Sequence, residues 1–222
     1  MPVTSKMSHQ NIKRTNHYIT DMFDNIILSP VMDLPEPDVW ITLYSSTGVK
    51  LAEYEVSLAG LTDALTDAVA TNIVEIPICM ITGDAEVPMG VKLMGVSRLS
   101  SVLVGTVTLN DQSVLENLTV SLTGSDAGEV VGVYGPADGY NLVDPAIPSL
   151  AQLYSVTVNV ENNIGPAHAV QLTCGGLSAH DTEVLALVGS FGYSAFVTYG
   201  AFTHHSGRAV GNDPDGAYYL DV

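Results

Sequence analysis

Apolar residues in this chain recur mostly at every second position, beginning with Val39, Ile41 and Leu43. Because the side chains of a strand point alternately to two faces, such runs predict strands with one buried and one solvated face. The clearest runs cover 39–44, 74–80, 91–96, 102–109, 118–123, 156–160, 170–174, 184–188 and 194–199. The pattern therefore predicts an all-β protein, built as an antiparallel β-sandwich or jelly roll.

One segment has the helical period instead, with apolar residues spaced i, i+3, i+4, i+7 and i+8. These residues are Ile19, Met22, Phe23, Ile26 and Ile27. The spacing predicts one N-terminal α-helix over about 8–28, which three prolines between residues 30 and 37 prevent from continuing. A weaker helix or turn is expected over 61–69, where four apolar residues share a face.

Glycine and proline concentrate in 124–150, which predicts a joint. We therefore expect a basic arm and amphipathic helix in 1–32, a first β region in 33–123, the joint, and a second β region in 151–222. The two β regions are either separate or one continuous domain. A faint echo of 93–105 in 187–200 favours two related halves.

Charge narrows the possible partners. The chain carries 24 acids and 7 bases, a net charge of −17. A protein that binds nucleic acid by neutralising phosphates needs a basic face, so direct nucleic-acid binding is excluded. Attraction to anionic membranes is disfavoured, and no stretch approaches the ~18 apolar residues of a membrane span. No signal peptide is visible at the start of the sequence.

The bases are unevenly placed. Three of them precede residue 15 and no acid precedes Asp21, whereas Arg208 is the only base after residue 100, against twelve acids. The arm is expected to lie on the acidic surface of a neighbouring copy, and the alternative is a solvated terminus. Trp40 is expected in the core or at a subunit interface, and the two adjacent tyrosines either anchor the tail or form a contact. The predicted interface residues are Lys6, Lys13, Arg14, Trp40, Tyr218 and Tyr219.

The sequence contains little that predicts catalysis or a cofactor. No phosphate-binding glycine motif occurs, and the run Gly189–Gly192 lacks the spacing and the following helix of a serine nucleophile. The pair His180 and Asp181 would need a third positioned group to move protons. Asp213 and Asp215 are a weak candidate for a cation site, although a plain turn explains them better. We predict no enzyme activity, no metal and no cofactor.

The two cysteines, Cys79 and Cys174, each lie inside an apolar strand-like run. They are expected to be two buried free thiols rather than a disulfide, because buried free cysteine behaves as a small apolar residue.

A helix, a proline-rich break and the strand Val39–Ser46 follow one another in the N-terminal third. This order resembles the opening of small tail-fibre-type structural proteins of tailed bacteriophages. Glu55–Ser57 resembles their later Glu-Val-Ser element, and Val104–Val107 resembles a closing strand, so that the similarity covers about 16–123. The aromatic-Ala-Arg sequence that usually follows the Glu-Val-Ser element is absent here, which leaves the subfamily open. The resemblance implies a β-sandwich that assembles as several copies in a virion, with no catalytic residues.

The expected function is therefore a non-catalytic structural component of a virus particle, most simply a tail, fibre or baseplate protein. Its expected partners are copies of itself and other virion proteins. One alternative is an icosahedral coat or decoration protein with a jelly-roll fold. A weaker alternative is a carbohydrate-binding β-sandwich.

Overall fold

The computed structural model describes residues 40–125, 127–137, 150–173, 175–188, 192–198, 201–212 and 218–220, together with four short strands before residue 28. The chain forms two compact units, 1–38 and 39–222. The first unit contains two antiparallel pairs of strands. They are β1 (Ile12–Lys13) with β2 (Asn16–His17) and β3 (Ile19–Thr20) with β4 (Ile26–Ile27).

The helix predicted over 8–28 is wrong for every residue of that range which the structure describes. Half of the residues in these four strands are isoleucine. Branching at Cβ restricts χ1 on a helix and suits a pleated strand, so side-chain conformation outweighs the 3.6-residue spacing here.

The second unit begins with the antiparallel hairpin of β5 (Trp40–Tyr44) and β6 (Lys50–Glu55), followed by helix α1 (Leu58–Asp67). Eighteen further strands come in six successive groups of three, which we call coils 1 to 6. Coils 1 to 3 contain β7 (Ile73–Ile76), β8 (Cys79–Thr82), β9 (Ala85–Val87); β10 (Lys92–Gly95), β11 (Ser101–Val104), β12 (Val107–Leu109); β13 (Val114–Glu116), β14 (Thr119–Gly124), β15 (Val130–Tyr134). Coils 4 to 6 contain β16 (Leu150–Tyr154), β17 (Thr157–Asn162), β18 (Ala167–Leu172); β19 (Gly176–His180), β20 (Thr182–Val188), β21 (Gly192–Val197); β22 (Ala201–His204), β23 (Gly207–Gly211), β24 (Tyr218–Leu220).

Each coil gives its first strand to sheet 1, its second to sheet 2 and its third to sheet 3. Every strand of a coil pairs in parallel with the corresponding strand of the next coil, as β14 does with β17 and β17 with β20. The hairpin β5–β6 extends sheet 1 in antiparallel fashion at the first coil. The second unit is therefore a three-sided parallel β-solenoid, and the predicted antiparallel sandwich or jelly roll is wrong.

The core fills the interior of the solenoid with aligned apolar columns. One column on sheet 1 runs from Val74 through Leu93 and Leu115 to Leu153, four side chains without solvent exposure. Burying one such side chain fully stabilises the fold by about 1.5–3 kcal/mol. Outward positions stay wet, which is why each strand shows the alternation that an antiparallel sheet also shows.

Helix α1 closes the first coil. The Ser57 hydroxyl caps the helix by accepting a hydrogen bond from the Gly60 N–H at 3.0 Å. Leu61 and Leu65 lie on the buried side of the helix. The Tyr54 hydroxyl donates to the Asp67 carboxylate at 2.8 Å. Burial, together with Asp67, raises the pKa of Tyr54 to about 12. This helix overlaps the weaker helix expected over 61–69.

Candidate functional site

The turns from sheet 1 to sheet 2 in coils 3, 4 and 5 share one conformation. Asn117, Ser155 and Asp181 occupy these turns with φ of +54°, +50° and +48°. The left-handed region is tolerated best by asparagine and aspartate among non-glycine residues, because their short polar side chains bond locally. The Asn117 side chain bonds to the preceding coil instead, where its amide donates to the carbonyl oxygens of Gly95 and Val96.

Three rings next to the ends of sheet-1 strands form a stack that we call the histidine column. It consists of Tyr154 and His180, which end β16 and β19, and of His205, which directly follows β22. The ring centroids of Tyr154 and His180 are 4.8 Å apart, and those of His180 and His205 are 4.1 Å apart, with interplanar angles of 15° and 12°. Parallel strands lie about 4.8 Å apart, so in-register rings stack face to face. The column thus uses the ring faces between coils and leaves ring edges toward solvent.

His180 forms a hydrogen bond that the sequence did not predict. Its Nε2 lies 2.9 Å from the Oγ of Ser178, an outward neighbour that is 5% exposed. Asp181, however, accepts from the Ser155 hydroxyl at 2.6 Å and donates its main-chain N–H to Ser206 Oγ. His180 and Asp181 therefore bond to other residues and not to each other, and His180 ends strand β19 rather than lying in the exposed loop expected from the sequence. Ser178 and His180 have a nucleophile-and-base arrangement, but no carboxylate orients the imidazole among the described contacts.

A second histidine lies buried on the outer side of sheet 3. His168 Nε2 lies 2.9 Å from Glu129 Oε1, and its ring stacks on Phe196 with centroids 4.6 Å apart. The ring is 2% exposed, and this burial lowers the pKa of His168 to about 4. The ring is thus neutral at pH 7, with the proton on Nε2 donated to the carboxylate. Sequence analysis missed this residue, because one histidine in an alternating apolar run gives no distinguishing signal.

Arg98 links coils that are distant in sequence. Its Nε donates to the Thr157 hydroxyl at 2.9 Å, and its guanidinium lies 3.3 Å from the Glu183 carboxylate and 3.9 Å from that of Asp181. The side chain projects from the turn of coil 2 and reaches coils 4 and 5. A base whose charge is neutralised in this way serves the fold rather than a ligand.

Over four coils, the strands of sheet 2 place no charged side chain at their first two outward positions, although the Arg98 guanidinium lies against one of these positions, Thr157, and pairs with Glu183. The first two outward positions of β8, β11, β14 and β17 are in register from coil to coil. We call these eight side chains the sheet-2 face: Met80, Thr82, Val102, Val104, Thr119, Ser121, Thr157 and Asn159. They are aliphatic, hydroxyl or amide side chains, and charged outward residues begin beyond them, at Glu161 and Glu183.

The structure places several of the predicted interface residues. Trp40 is 44% exposed and begins β5, where it pairs with Glu55. The Tyr218 hydroxyl lies 2.9 Å from His204 Nδ1, and burial raises the pKa of Tyr218. Tyr219 pairs through its backbone with Phe196 in sheet 3.

The remaining candidates have less structural description. Lys13 lies in β1, and its side chain is not described. The following lie outside the described residues: Lys6, Arg14, Cys174, Asp213 and Asp215. Cys79 is a half-buried free thiol, and burial raises its pKa.

In the described part of the chain, no three histidine, cysteine, aspartate or glutamate side chains form a group that could hold a metal ion. No helix among the described residues is both long and apolar enough to span a membrane.

Comparison with protein-family models, with curated proteins and with solved structures finds no match to this chain. The resemblance to tail-fibre-type proteins therefore stays a prediction from the sequence.

Proposed function

We propose that this chain is a non-catalytic structural component of a virus particle, of the tail or fibre type, which works as several laterally packed copies. The observation that supports this most is the sheet-2 face, whose eight side chains are uncharged and which meets only the paired guanidinium of Arg98, on a chain whose net charge is −17. On an acidic protein that stays monomeric, the outer surface of a sheet is expected to carry solvated carboxylates. Short hydroxyl and aliphatic side chains instead allow close approach of another surface.

The solenoid itself supports a scaffolding role. Its coils repeat one set of three strands, so each coil contacts mainly its neighbours. A regular sheet surface that repeats from coil to coil is suited to side-by-side packing.

The fold does not separate the two virion alternatives. The tail-fibre resemblance implied a β-sandwich and the coat-protein alternative implied a jelly roll, whereas the chain is a parallel solenoid. Sugar binding needs an open aromatic face, whereas the rings of the histidine column stack on one another.

Sedimentation of the full chain over a wide concentration range tests lateral packing. Ser121→Arg places a bulky charge in the middle of the sheet-2 face. Gln152→Arg makes the same addition on sheet 1 and serves as the matched control, since both positions are outward and partly exposed. We expect Ser121→Arg to abolish self-association, Gln152→Arg to preserve it, and both circular-dichroism spectra to match that of the parent.

The location is tested by mass spectrometry of purified particles from a culture that produces this chain. A chain that stays monomeric at every concentration and is absent from such particles would contradict the proposal.

A further inference from the structure

A cleft of about 450 Å³ opens between helix α1 and strand β9. Thr62 and Leu65 line its helix side, whereas Ala85, Glu86 and Met89 line the opposite side. This volume lies within the range of about 300–1,000 Å³ that is usual for ligand pockets. The Met89 side chain is 59% exposed at its rim.

The cleft exposes a strand edge. β9 is the terminal strand of sheet 3 and pairs with β12 alone. Ala85 donates its N–H to Thr106 O at 2.9 Å, and Val87 O accepts from the Asn110 N–H at 3.2 Å. Because neighbouring residues of a strand direct their main-chain groups to opposite sides, the N–H and C=O of Glu86 point away from β12. They are positioned to pair with an added strand.

The same cleft is acidic. Asp84 Oδ1 accepts from the Thr106 N–H at 2.8 Å, and Glu86 Oε1 accepts from the Asn110 side-chain amide at 3.1 Å. Each of these contacts uses one carboxylate oxygen and leaves the other open. An extended segment that carries positive charge would therefore find both main-chain and side-chain partners here.

We propose that this cleft binds the N-terminal segment of a second copy, residues 6–17, with Ile12–Lys13 as the strand added to β9. That segment carries Lys6, Lys13 and Arg14 and no acid, which complements Asp84 and Glu86. Ile12–Lys13 is extended and pairs with Asn16–His17 along one edge, so its other edge is the one that would pair with β9. This inference rests on the proposed multi-copy function and names a second contact, separate from the sheet-2 face.

Isotope-mixed photo-crosslinking of the full chain tests the occupant. Photo-methionine at position 89 is incorporated, unlabelled and nitrogen-15-labelled copies are mixed, and crosslinked peptides are identified by mass. We expect crosslinks between residue 89 of one isotope and residues 6–17 of the other. Crosslinks confined to a single isotope would show that the segment is not donated by a second copy. Crosslinks to a different segment, or none, would also overturn the proposal.

Charge reversal tests the recognition. We expect Glu86→Lys to weaken self-association about tenfold, the size of one favourable charge pair, and Lys13→Glu to restore most of it in the double variant. Glu55→Lys makes the same change at another exposed acid of the capped end and should have little effect.

A comparison of the Ser121→Arg and Glu86→Lys variants distinguishes the cleft proposal from the proposed structural function. If Ser121→Arg abolishes association while Glu86→Lys leaves it intact, the cleft proposal fails and the structural function stands. If the parent chain never associates, both fail.

Discussion

Coils 1 to 3, with their helical cap, and coils 4 to 6 share one backbone plan but differ in chemistry. The capped end is closed by Leu61 and Leu65 of α1, both nearly without exposure. At the other end, aromatic and polar side chains fill the last described coil, where Phe202, His204 and Tyr218 lie together. Four of the six histidines belong to coils 4 to 6, and none to coils 1 to 3.

Because coils 1 to 3 and coils 4 to 6 share a backbone but differ in side chains, a stacked-coil fold constrains the backbone strongly and the side-chain chemistry weakly. Aligned apolar columns supply stability wherever they occur, whereas titratable rings make stability depend on pH. We therefore expect the capped end to be the stable end and the histidine-bearing coils to be the pH-sensitive end.

The largest effect is expected from the cap. Leu61→Ala removes a side chain that is 1% exposed, and the resulting cavity should lower the free energy of unfolding by about 4 kcal/mol. Chemical denaturation at pH 7 measures it. Asp63→Ala on the exposed side of the same helix is the control and should change stability by less than about 0.5 kcal/mol.

The opposite end provides the comparison. Phe202→Ala, at a partly exposed site, should cost about half as much as Leu61→Ala, because less of its surface leaves water on folding. Equal losses at the two ends would contradict the assignment of greater stability to the cap.

Many of the strands could be predicted from the sequence, but strands such as β13, β16 and β19 were missed, and the arrangement of the strands could not be predicted. The runs 118–123 and 156–160 coincide with β14 and β17, because inward and outward positions alternate along each. An antiparallel sheet with one wet face produces the same alternation, so period two does not reveal whether neighbours are parallel. The coil period would have revealed it, but first strands begin 19 to 36 residues apart, which hides the repeat.

The corners between the strands of a coil are short. Two residues separate β13 from β14 and β16 from β17, whereas one residue separates β19 from β20. Two-residue connections are also the commonest hairpin loops, so the length of these gaps does not reveal that the chain continues into a new sheet. The predicted run 102–109 is likewise two strands, divided at Gly105 and Thr106. The apparent echo between 93–105 and 187–200 does not follow the coils, since Leu93 lies in sheet 1 and Leu187 in sheet 2.

The second prediction concerns pH and His168. The pKa of His168 is about 4 in the folded chain and about 6.5 in an unfolded one, so the unfolded state binds the proton first as pH falls. The contribution of neutral His168 to the free energy of unfolding is fully present above pH 6.5 and declines between pH 6.5 and 4. Below that window the free energy of unfolding is lower by roughly 3 kcal/mol. Glu129 attracts the proton but is 43% exposed, so solvent screens it and burial of the ring prevails.

Denaturation at a series of pH values checks this prediction, with His168→Phe as the variant. Phenylalanine keeps the stacking on Phe196 and cannot titrate. The part of the pH dependence of the free energy of unfolding that is due to His168 should therefore disappear between pH 6.5 and 4. Hydrogen exchange should locate the loss in coils 4 to 6, with coils 1 to 3 protected. An unchanged slope in His168→Phe would contradict the assignment.

The candidate site was less predictable than the strands, because its contacts join residues far apart in sequence. His180 was considered with its neighbour Asp181, yet it contacts Ser178, Tyr154 and His205, two of which lie in other coils. Rules based on local spacing do not predict contacts between coils, because the sequence separation of such contacts depends on the length of a coil.

The third prediction uses Arg98, which joins the two regions. Arg98→Met should cost about 1–2 kcal/mol, because its bonds to Thr157 and Glu183 are charge-assisted but partly exposed. We expect the amide hydrogen-exchange rates of coils 1 to 3 and of coils 4 to 6 to diverge as well, since a direct link between coil 2 and coils 4 and 5 is lost. Arg208→Ala, at an exposed base, is the control. Equal losses in both variants would mean that Arg98 contributes charge alone.

The smallest effect is expected at the far end, from Tyr218→Phe. His204 Nε2 lies 3.0 Å from the carbonyl oxygen of Thr182, which can only accept, so Nε2 carries the proton. In the neutral ring Nδ1 is then an acceptor, and the Tyr218 hydroxyl donates to it. Removing that hydroxyl should cost about 0.5–1 kcal/mol, because Tyr218 is 41% exposed and water replaces part of the bond.

The loss should be confined to the last coil, because coils contact mainly their neighbours. Hydrogen exchange should therefore rise in 201–212 while the midpoint of global denaturation stays the same. An effect spread evenly over all six coils would show that the last coil is not an independent unit of opening.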